Sequence, residues 1–448
     1  MGTQQNPSQK ESEIEAVAMQ ALQRGEIDRA RRLCDAMLAG NPGSPTGLRL
    51  LGLVHMLERH YEAAIEAFTR SAEALPELGT LINLTTCLTK VGALERAIAS
   101  GRAAISMAPA SVPARLGLAL ALHGMQRMDE ALAEVEEAER LSPGNPAVAV
   151  RRGAIRAHLG EYDAAERDFA LPGAANAAPP CQAVRFNRAF YDALDAAAQS
   201  PAPEPAHLMS MGSTEKARYV VYVGCNADYF CKYGVVFVNS YAANSAVGNA
   251  LHLHIIDPNE HFNQVLSDVA RRLPALNLVV TTERAPLDAA ADPGNTRTYY
   301  ASARFIQLAG LLAHYRKPML MFDVDAIVEA PLDRLLDHVG DRDLGLVLRE
   351  PVDSPWLDII AYIVGARPTP AALEYLRRVR GYILHFLQRR QMPWGLDQTA
   401  LYCVLKMMQR FDKTPRVAWF SRELQAVTWQ IGQAYDYKLR DERVRRYT

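Results

Sequence analysis

The sequence predicts a multidomain protein in which an all-α helical-repeat solenoid is followed by an α/β domain. At 448 residues the chain is longer than one hydrophobic core usually fills, so two or more domains are expected. In the first part, alanines recur at positions 30, 64, 97, 131 and 165, a step of 33 or 34 residues that indicates a repeat. In the second part, short apolar runs alternate with helix-like segments, which is typical of a mainly parallel sheet covered by helices.

The composition carries no strong overall charge. The 49 lysines and arginines nearly balance the 50 aspartates and glutamates, so no global field would attract nucleic acid or an acidic bilayer. No apolar stretch is long enough to span a membrane, and the first residues lack the apolar core of a signal peptide. The six cysteines form no C-x-x-C pair, which argues against a zinc site. We therefore expect a cytoplasmic protein with no transmembrane segment and no nucleic-acid partner.

Each repeat has the pattern of a helical hairpin. A hydrophobic or aromatic residue stands three positions before each of the five alanines. A proline follows twelve positions after each of the first four, where it ends a helix because it lacks an N–H group. Small residues occupy the positions where two helices would cross closely: Ala18, Gly52, Ala119 and Gly153. Glycines fall in the turn before the second helix at positions 25, 92 and 160. The pattern predicts four full units and a fifth that breaks at Pro172-Gly173.

This pattern resembles the tetratricopeptide repeat over about residues 11–172, and we place the solenoid at residues 1–172. It departs from the family at Thr85, where a small residue is expected, and the first-helix tryptophan is missing throughout. The resemblance implies a curved solenoid whose concave side receives an extended peptide or a helix, and hence a protein or peptide partner. An alternative is that the repeats only dimerise the protein or pack on its second domain. The sequence does not separate these interpretations.

Residues 173–215 are predicted to connect the two domains. Apolar residues at helix-compatible spacing predict a helix that caps the solenoid: Val184, Phe186, Phe190 and Leu194. The proline-rich run at 201–205 favours extended polyproline geometry and is typical of a linker. The second domain is therefore predicted to cover residues 216–448.

Two groups of polar residues follow predicted strands of the second domain. Asn226, Asp228 and Tyr229 come after the apolar run 219–223, and Asp323 and Asp325 come after the apolar run 319–322. In open sheets of this class, ligands bind beyond the carboxyl ends of the strands, so we expect the two groups to meet in one crevice. The chain has neither a G-x-G-x-x-G after the first strand nor a G-x-x-x-x-G-K-[ST], so a Rossmann dinucleotide site and a P-loop are not predicted.

Asp323 and Asp325 are the strongest indication of chemistry. On an extended chain, residues two apart project to the same face, so the carboxylates would converge while Val324 turns towards the core. Like charges this close raise one pKa unless a cation lies between them, and carboxylate oxygens are ligands that Mg²⁺ and Mn²⁺ prefer. The pair therefore predicts a divalent metal site. The alternative is a strand-to-loop turn that carries two solvated aspartates.

From about residue 217 to 440 the chain resembles a nucleotide-sugar-dependent glycosyltransferase of the GT-A fold, in particular the retaining lipopolysaccharide galactosyltransferase and glycogenin-like family. Ordered segments carry the resemblance: Asn226-Ala227-Asp228-Tyr229, the helix 300–305, Asp323-Val324-Asp325 and Gly395-Leu396-Asp397-Gln398. It implies transfer of a sugar from a UDP-sugar donor, with Mn²⁺ or Mg²⁺ as cofactor.

The resemblance implies roles for residues on the donor side. Residues that match Asn226 and Asp228 contact the nucleotide, and an aromatic that matches Tyr229 stacks on the uracil. An arginine that matches Arg304 lies near the donor sugar and phosphates, a role suited to a planar, permanently charged group. The alternatives are a packed loop aromatic for Tyr229 and a surface salt bridge for Arg304.

The resemblance also implies how the metal is held. Asp323 and Asp325 would bind it beside the diphosphate. The family usually adds a histidine, which is absent here; Gln430 would supply an amide oxygen in its place, and Lys438 could reach the diphosphate. Without ligation by Gln430 we expect weak metal affinity, or reduced or lost activity.

Asp397 and Gln398 match an Asp-Gln pair that lines the acceptor and sugar side of such sites. Asp397 could hold a sugar hydroxyl or stabilise the developing oxocarbenium charge, with Gln398 on the reacting face and a retaining outcome implied. An alternative for Asp397 is the N-cap of a helix at 399–408. The family's Asn-Ala-Gly segment is missing, and residues 360–365 could stand in its place.

These observations predict an enzyme that moves a sugar from a UDP-sugar to a protein acceptor recruited by the repeats, because joining the two parts raises the local concentration of acceptor. One alternative is a polysaccharide or glycolipid transferase whose repeats bind assembly partners. Another is a non-catalytic scaffold with a degenerate transferase domain.

Overall fold

The computed structural model describes residues 7–349, 354–431 and 437–448, and within them helices and sheets fall into two units. The first unit ends at Ala177 and contains only helices; the second begins at Ala178 and contains the sheets. None of the helices in these described ranges is long and apolar enough to cross a lipid bilayer.

The first unit is a series of helical hairpins followed by one short helix. Its helices are α1 (Pro7–Gln23), α2 (Ile27–Gly40), α3 (Pro45–Leu57), α4 (Tyr61–Ala74), α5 (Leu78–Lys90), α6 (Leu94–Met107), α7 (Val112–Gly124), α8 (Met128–Leu141), α9 (Pro146–His158), α10 (Tyr162–Phe169) and α11 (Ala174–Ala177). The second helix of each pair begins at the hydrophobic residue that the repeat pattern singles out, and the repeat prolines follow shortly after its end. The prediction of a tetratricopeptide-like helical solenoid is confirmed for the described residues.

The turns inside the hairpins share one left-handed residue. It is Gly25, Gly92 and Gly160 in three turns, at φ of 73°, 78° and 81°, as the glycine pattern predicts. Arg59 and Gln126 adopt the same conformation, at φ of 63° and 60°, in the other two. A residue with a Cβ atom adopts this conformation at some cost in energy. Backbone hydrogen bonds close these two turns, from the His60 amide to the His55 carbonyl at 2.9 Å and from the Arg127 amide to the Leu122 carbonyl at 3.0 Å.

The small residues of the repeat lie where the helices touch. A Cβ atom built on Gly52 would come within 2.6 Å of the Phe68 ring, and one on Gly153 within 2.7 Å of the Phe169 ring. The polar departure at Thr85 is accommodated because its hydroxyl donates to the Leu81 carbonyl at 2.8 Å, one turn back in the same helix.

The second unit is built around a mixed sheet. Its strands are β1 (Ala206–Met211), β2 (Val220–Asn226), β3 (Ala250–Ile256), β4 (Leu278–Glu283), β5 (Met319–Phe322), β6 (Ala326–Val328), β7 (Leu344–Leu348), β8 (Ile359–Ala366), β9 (Val417–Trp419) and β10 (Thr428–Gln430). Its helices are α12 (Arg188–Ala198), α13 (Ala227–Tyr229), α14 (Val235–Asn244), α15 (Glu260–Arg272), α16 (Pro293–Tyr315), α17 (Asp333–Val339), α18 (Pro370–Gln388), α19 (Leu396–Phe411), α20 (Arg422–Gln425) and α21 (Tyr437–Tyr447).

Eight strands form the main sheet, in the order β1-β4-β3-β2-β5-β8-β7-β9. β4, β3, β2 and β5 are parallel, as the alternation of strands and helices predicts, whereas β1 and β8 add antiparallel pairs on either side. β6 and β10 form a separate two-stranded ribbon. The carboxyl ends of the parallel strands therefore meet at one edge, where the polar residues lie.

Most of the segment predicted to connect the two domains, from Ala178 onward, belongs instead to the second unit. α12 packs on α18, with the ring centroids of Phe190 and Tyr382 5.1 Å apart and the Arg378 guanidinium 4.0 Å from the centre of the Tyr191 ring. The interpretation of this helix as a cap of the solenoid is wrong, because its apolar face is matched by α18 inside the second unit. The predicted linker at 173–215 likewise contains β1, which pairs with β4.

Replacing Gly52 by alanine should destabilise the protein by about 1–3 kcal/mol, because the added methyl group overpacks against the buried Phe68 ring. Gly79, in α5, is the matched control: a Cβ atom there meets nothing within 4 Å, so Gly79→Ala should stabilise slightly. Urea unfolding followed by circular dichroism would measure both variants. Equal unfolding midpoints for the two would contradict this account of the helix crossing.

Candidate functional site

The aromatic loop after β2 meets the paired aspartates after β5. The Tyr229 hydroxyl donates to Oδ2 of Asp325 at 3.2 Å, although the two residues are 96 positions apart. The Tyr229 side chain is 39% exposed, so part of its ring is open to a ligand. Burial of the hydroxyl and the nearby Asp325 charge raise the pKa of Tyr229, which keeps it neutral and able to donate. The polar residues after β2 and the aspartates after β5 therefore lie together at one edge of the sheet, as expected.

Asp323 and Asp325 lie in a turn and not on an extended strand. β5 ends at Phe322, the Asp323 amide donates to the Tyr362 carbonyl at 3.0 Å, and the Ala326 amide donates to the Asp323 carbonyl at 3.3 Å. The argument from alternating strand positions is thus wrong for this pair. Val324 nonetheless turns into the core as predicted, with 2% of its surface exposed.

Arg304, in the middle of α16, links the first aspartate to a third carboxylate. Its Nη1 lies 2.8 Å from Oδ1 of Asp323, and its Nη2 lies 3.3 Å from Oδ2 of Asp397. Nη2 also donates to the Ala361 carbonyl at 3.4 Å. Because the arginine side chain is only 9% exposed, the alternative of a surface salt bridge is wrong. The contact with Ala361 puts residues 360–365, in β8, beside the site.

The carboxylates held by Arg304 have raised pKa values. Burial raises the pKa of Asp323 to about 7; the Arg304 charge lowers it, and Asp325 and Asp397 raise it. Its side chain is 28% exposed, so solvent reaches part of this carboxylate. Burial also raises the pKa of Asp397, against the lowering effect of Arg304. One guanidinium therefore does not fully compensate the negative charge gathered here.

Asp397 is not an N-cap. α19 begins at Leu396, three residues before the helix that the alternative prediction placed at 399–408, and Gly395 occupies the cap position with φ of 84°. Asp397 lies in the first helical turn, where the helix dipole stabilises a negative charge. Its Oδ1 accepts from the Gln398 amide at 2.9 Å, which leaves Oδ2 to Arg304. The Gln398 side chain is partly buried next to this pair.

The structure adds residues that sequence reasoning missed. Asn259, after β3, donates from Nδ2 to Oδ1 of Asp228 at 3.0 Å. Asp257 has a left-handed backbone with φ of 53°, and its carboxylate accepts from the Tyr300 hydroxyl at 2.9 Å. Asn226 is the last residue of β2, beside the end of β3. The sequence could have indicated these residues, because Asp257-Pro258-Asn259 follows a predicted parallel strand and so falls at the carboxyl edge of the sheet.

Gln430 lies beside the aspartate turn through the small ribbon. It pairs with Ala326 across β6 and β10, and the Ile431 amide donates to the Asp325 carbonyl at 2.8 Å. The Gln430 Nε2 is buried and has no hydrogen-bond partner among the described residues. This side chain also lines a cavity of about 290 Å³ with Tyr362 and Trp429. The prediction for Lys438 lies outside the described residues, since only its backbone in α21 is placed.

The donor set at this edge fits a hard divalent cation. Two carboxylates and the oxygen of a side-chain amide are ligands that such cations take. Burial, together with the charges of Asp325 and Asp397, raises the pKa of Asp323, so a cation beside it would be favoured. Arg304 competes for Asp323, so binding would require the aspartate to share or release the guanidinium. We identify Asp323, Asp325 and Gln430 as the residues that could hold Mn²⁺ or Mg²⁺.

Another group of potential ligands lies in the first unit. Ligand atoms of His55, Glu58 and His60 lie within 4.8 Å of one another. The Arg31 guanidinium, however, already pairs with Glu58. Its charge opposes a cation there, and we assign the group no metal.

No family model and no curated protein matches the chain. Solved structures that resemble it include a thermophilic TPR protein of Thermus thermophilus, at 22% identity, 38% of this chain, 92% of that chain and a TM-score of 0.33. Pseudomonas aeruginosa pilF shows 19% identity over 42% of this chain and 83% of that chain, with a TM-score of 0.35. YrrB, described as a TPR protein with an unusual peptide-binding site, shows 20% identity over 37% and 85%, with a TM-score of 0.32. These likenesses concern the helical repeats and leave the function of the second unit open.

Arg304→Met should destabilise the second unit by roughly 3–5 kcal/mol, because it leaves buried carboxylates without a cation. The double variant Arg304→Met/Asp397→Asn should recover part of the loss. Arg271→Met is the control, since Arg271 pairs with Asp268 on the surface and both side chains are mostly exposed; it should change little. Denaturant unfolding of the three variants tests this. A loss no greater for Arg304→Met than for Arg271→Met would refute the bridging role.

Proposed function

We propose that the second unit is a glycosyltransferase domain that moves a sugar from a UDP-sugar donor to an acceptor. The observation that carries this proposal is the 3.2 Å contact between Tyr229 and Asp325. It puts a partly exposed aromatic ring and paired acids at the same edge of a sheet with parallel central strands. A ligand that is aromatic at one end and carries phosphates next to it, such as a nucleoside diphosphate, matches this arrangement.

The donor base would lie against Tyr229. An exposed ring offers stacking to a base worth about 1–3 kcal/mol. Asn226 and Asp228 supply short polar side chains around the same loop, and the hydrogen bond from Asn259 orients the Asp228 carboxylate. These groups can accept from and donate to the edge of a base or the hydroxyls of a ribose.

The diphosphate would lie over the turn of Asp323 and Asp325. A bound divalent metal supplies charge neutralisation and Lewis acidity at the leaving phosphate. Asp323, Asp325 and Gln430 would hold it, and Arg304 is placed to take up negative charge from Asp323 or from a phosphate oxygen. Without a donor, Arg304 pairs with both Asp323 and Asp397.

The transferred sugar would lie towards Asp397 and Gln398. Asp397 is fixed by Arg304 and by the Gln398 amide, so its carboxylate has a defined position. A carboxylate held this way can accept a hydrogen bond from a sugar hydroxyl and stabilise positive charge that develops on the ring. We propose a retaining outcome on the resemblance alone.

The acceptor would be a protein or peptide recruited by the helical repeats. Hairpin solenoids bury their apolar faces by stacking, which leaves an extended surface for a partner. Covalent joining of such a surface to a transferase domain raises the acceptor concentration near the reaction. Residues of the repeats would then affect acceptor capture and leave donor binding unchanged.

A non-catalytic scaffold is the second candidate, and one observation favours it. Arg304 already pairs with Asp323, and an amide at Gln430 replaces the family's histidine, so the metal site is weaker than two carboxylates and an imidazole would make it. A degenerate domain would bind neither UDP nor metal.

Incubation of the full chain with UDP-sugars and Mn²⁺ should release UDP, and Asp323→Ala or Asp325→Asn should abolish both the release and Mn²⁺-dependent UDP binding. Asp268→Asn, on the exposed face of α15, is the control and should behave as the wild type. Calorimetric titration with UDP and Mn²⁺ distinguishes a transferase, which binds both, from a non-catalytic scaffold, which binds neither. Absence of binding at millimolar ligand, or full activity of Asp323→Ala, would end the transferase assignment.

Tyr229→Ala should weaken UDP binding in the presence of Mn²⁺ by about five- to 150-fold, because the stacking surface is lost. Tyr229→Phe keeps the ring and should retain most of the affinity, which makes it the matched control. Calorimetry on both variants checks this. Similar affinities for the alanine and phenylalanine variants would show that the ring does not bind the base.

A further inference from the structure

A polar cavity lies between the beginning of α16 and the loop that joins α18 to α19. Its volume is about 430 Å³, within the range of small-ligand sites. Planar amides and a guanidinium line it, over an apolar floor of Phe386 and Met392: Gln182, Asn295, Arg390 and Gln391. Nothing in the proposed donor site uses these residues.

The cavity lies on the side of the sheet where the candidate site opens. α16 connects two parallel strands, β4 and β5, so it runs against the strands and begins at their carboxyl edge. Arg304, in the middle of this helix, contacts Asp323. Asn295 precedes it by nine residues, about 14 Å along the helix axis. The cavity is therefore displaced from Arg304 along α16, towards the beginning of the helix.

Asn295 fixes the wall of the cavity. Its Nδ2 donates to the Arg390 carbonyl at 2.9 Å, and its Oδ1 accepts from the Met392 amide at 2.6 Å. The loop held in this way continues through Trp394 and Gly395 into α19, which carries Asp397. Residues 390–392, which line the cavity, and Asp397 therefore belong to one continuous segment that Asn295 holds in place.

Trp394 presents a large aromatic surface and follows the cavity-lining residue Met392 by two positions in the chain. It is 55% exposed, although its neighbours Met392 and Leu396 are buried. The Arg297 guanidinium lies 4.3 Å from the centre of its ring and orients it. An indole exposed on a fixed loop offers a rigid apolar face that loses little entropy on binding.

We propose that this cavity and Trp394 form an acceptor subsite for a neutral sugar ring, so that the acceptor already carries a glycan. The inference rests on the proposed transferase function for its role as an acceptor site. The C–H face of a pyranose packs on an indole, and its hydroxyls match the donors and acceptors of the Gln182 and Gln391 amides and of the Arg390 guanidinium. Asp292 in the lining opposes the charge of Arg390, which favours a neutral ring over a phosphate.

The test uses the labelled full chain on an array of immobilised neutral oligosaccharides and of peptides. The wild type should bind a subset of the oligosaccharides, and Trp394→Ala should weaken that binding about tenfold or more. Trp394→Phe should keep most of it. Trp419→Phe, at a partly exposed tryptophan of edge strand β9, should match the wild type. Thermal unfolding of each variant identifies any that do not fold.

The results separate this inference from the proposed function. UDP and Mn²⁺ binding should be the same in Trp394→Ala and wild type, because Trp394 lies outside the donor site. Absence of oligosaccharide binding, binding that Trp394→Ala leaves intact, or binding of peptides alone in a Trp394-dependent way would overturn the subsite. Trp394-dependent oligosaccharide binding without any UDP binding would support a sugar site and refute the transferase.

Discussion

The candidate site depends on one buried guanidinium. Arg304 holds Asp323 with one nitrogen and Asp397 with the other, and so joins the turn after β5 to the first turn of α19. Neither carboxylate would remain charged in this environment without a cation, because desolvation of an unpaired buried ion is costly. The planar fork of arginine suits the task, since it can hold two carboxylates in fixed directions at once.

The carboxylates around Arg304 outnumber the positive charges beside them. Asp323, Asp325 and Asp397 bring three carboxylates to one guanidinium. Burial raises the pKa of Asp323 to about 7 against the lowering effect of Arg304, and the charges of Asp325 and Asp397 add to the rise. A divalent cation would remove the difference. A diphosphate arriving with that cation would restore negative charge, which Arg304 could share. This imbalance supports the proposal that a metal and a phosphate bind here together, with Arg304 as the protein's counter-charge.

Local sequence patterns predicted the repeats, the parallel strands and the place of the paired aspartates. Hairpin turns were predictable where glycine marks them, but Arg59 and Gln126 adopt the same left-handed conformation without a glycine to signal it. Contacts between distant positions, such as Arg304 with Asp397, could not be derived from spacing, because they depend on how α16 and α19 meet. For the same reason α12, whose apolar face fits either neighbour in principle, was placed on the wrong unit.

One helix positions the parts of the proposed site relative to one another. Three residues of α16 make these contacts. Asn295 accepts from the Met392 amide in the loop at the cavity, and the Tyr300 hydroxyl donates to Asp257 at the end of β3. Arg304 pairs with Asp323 and Asp397. Since a helix transmits displacement along its axis with little bending, a shift of α16 would move the cavity, the donor loop and the metal turn together. Under the proposed function, donor and acceptor binding would be coupled through α16, because this helix contacts the residues proposed for both.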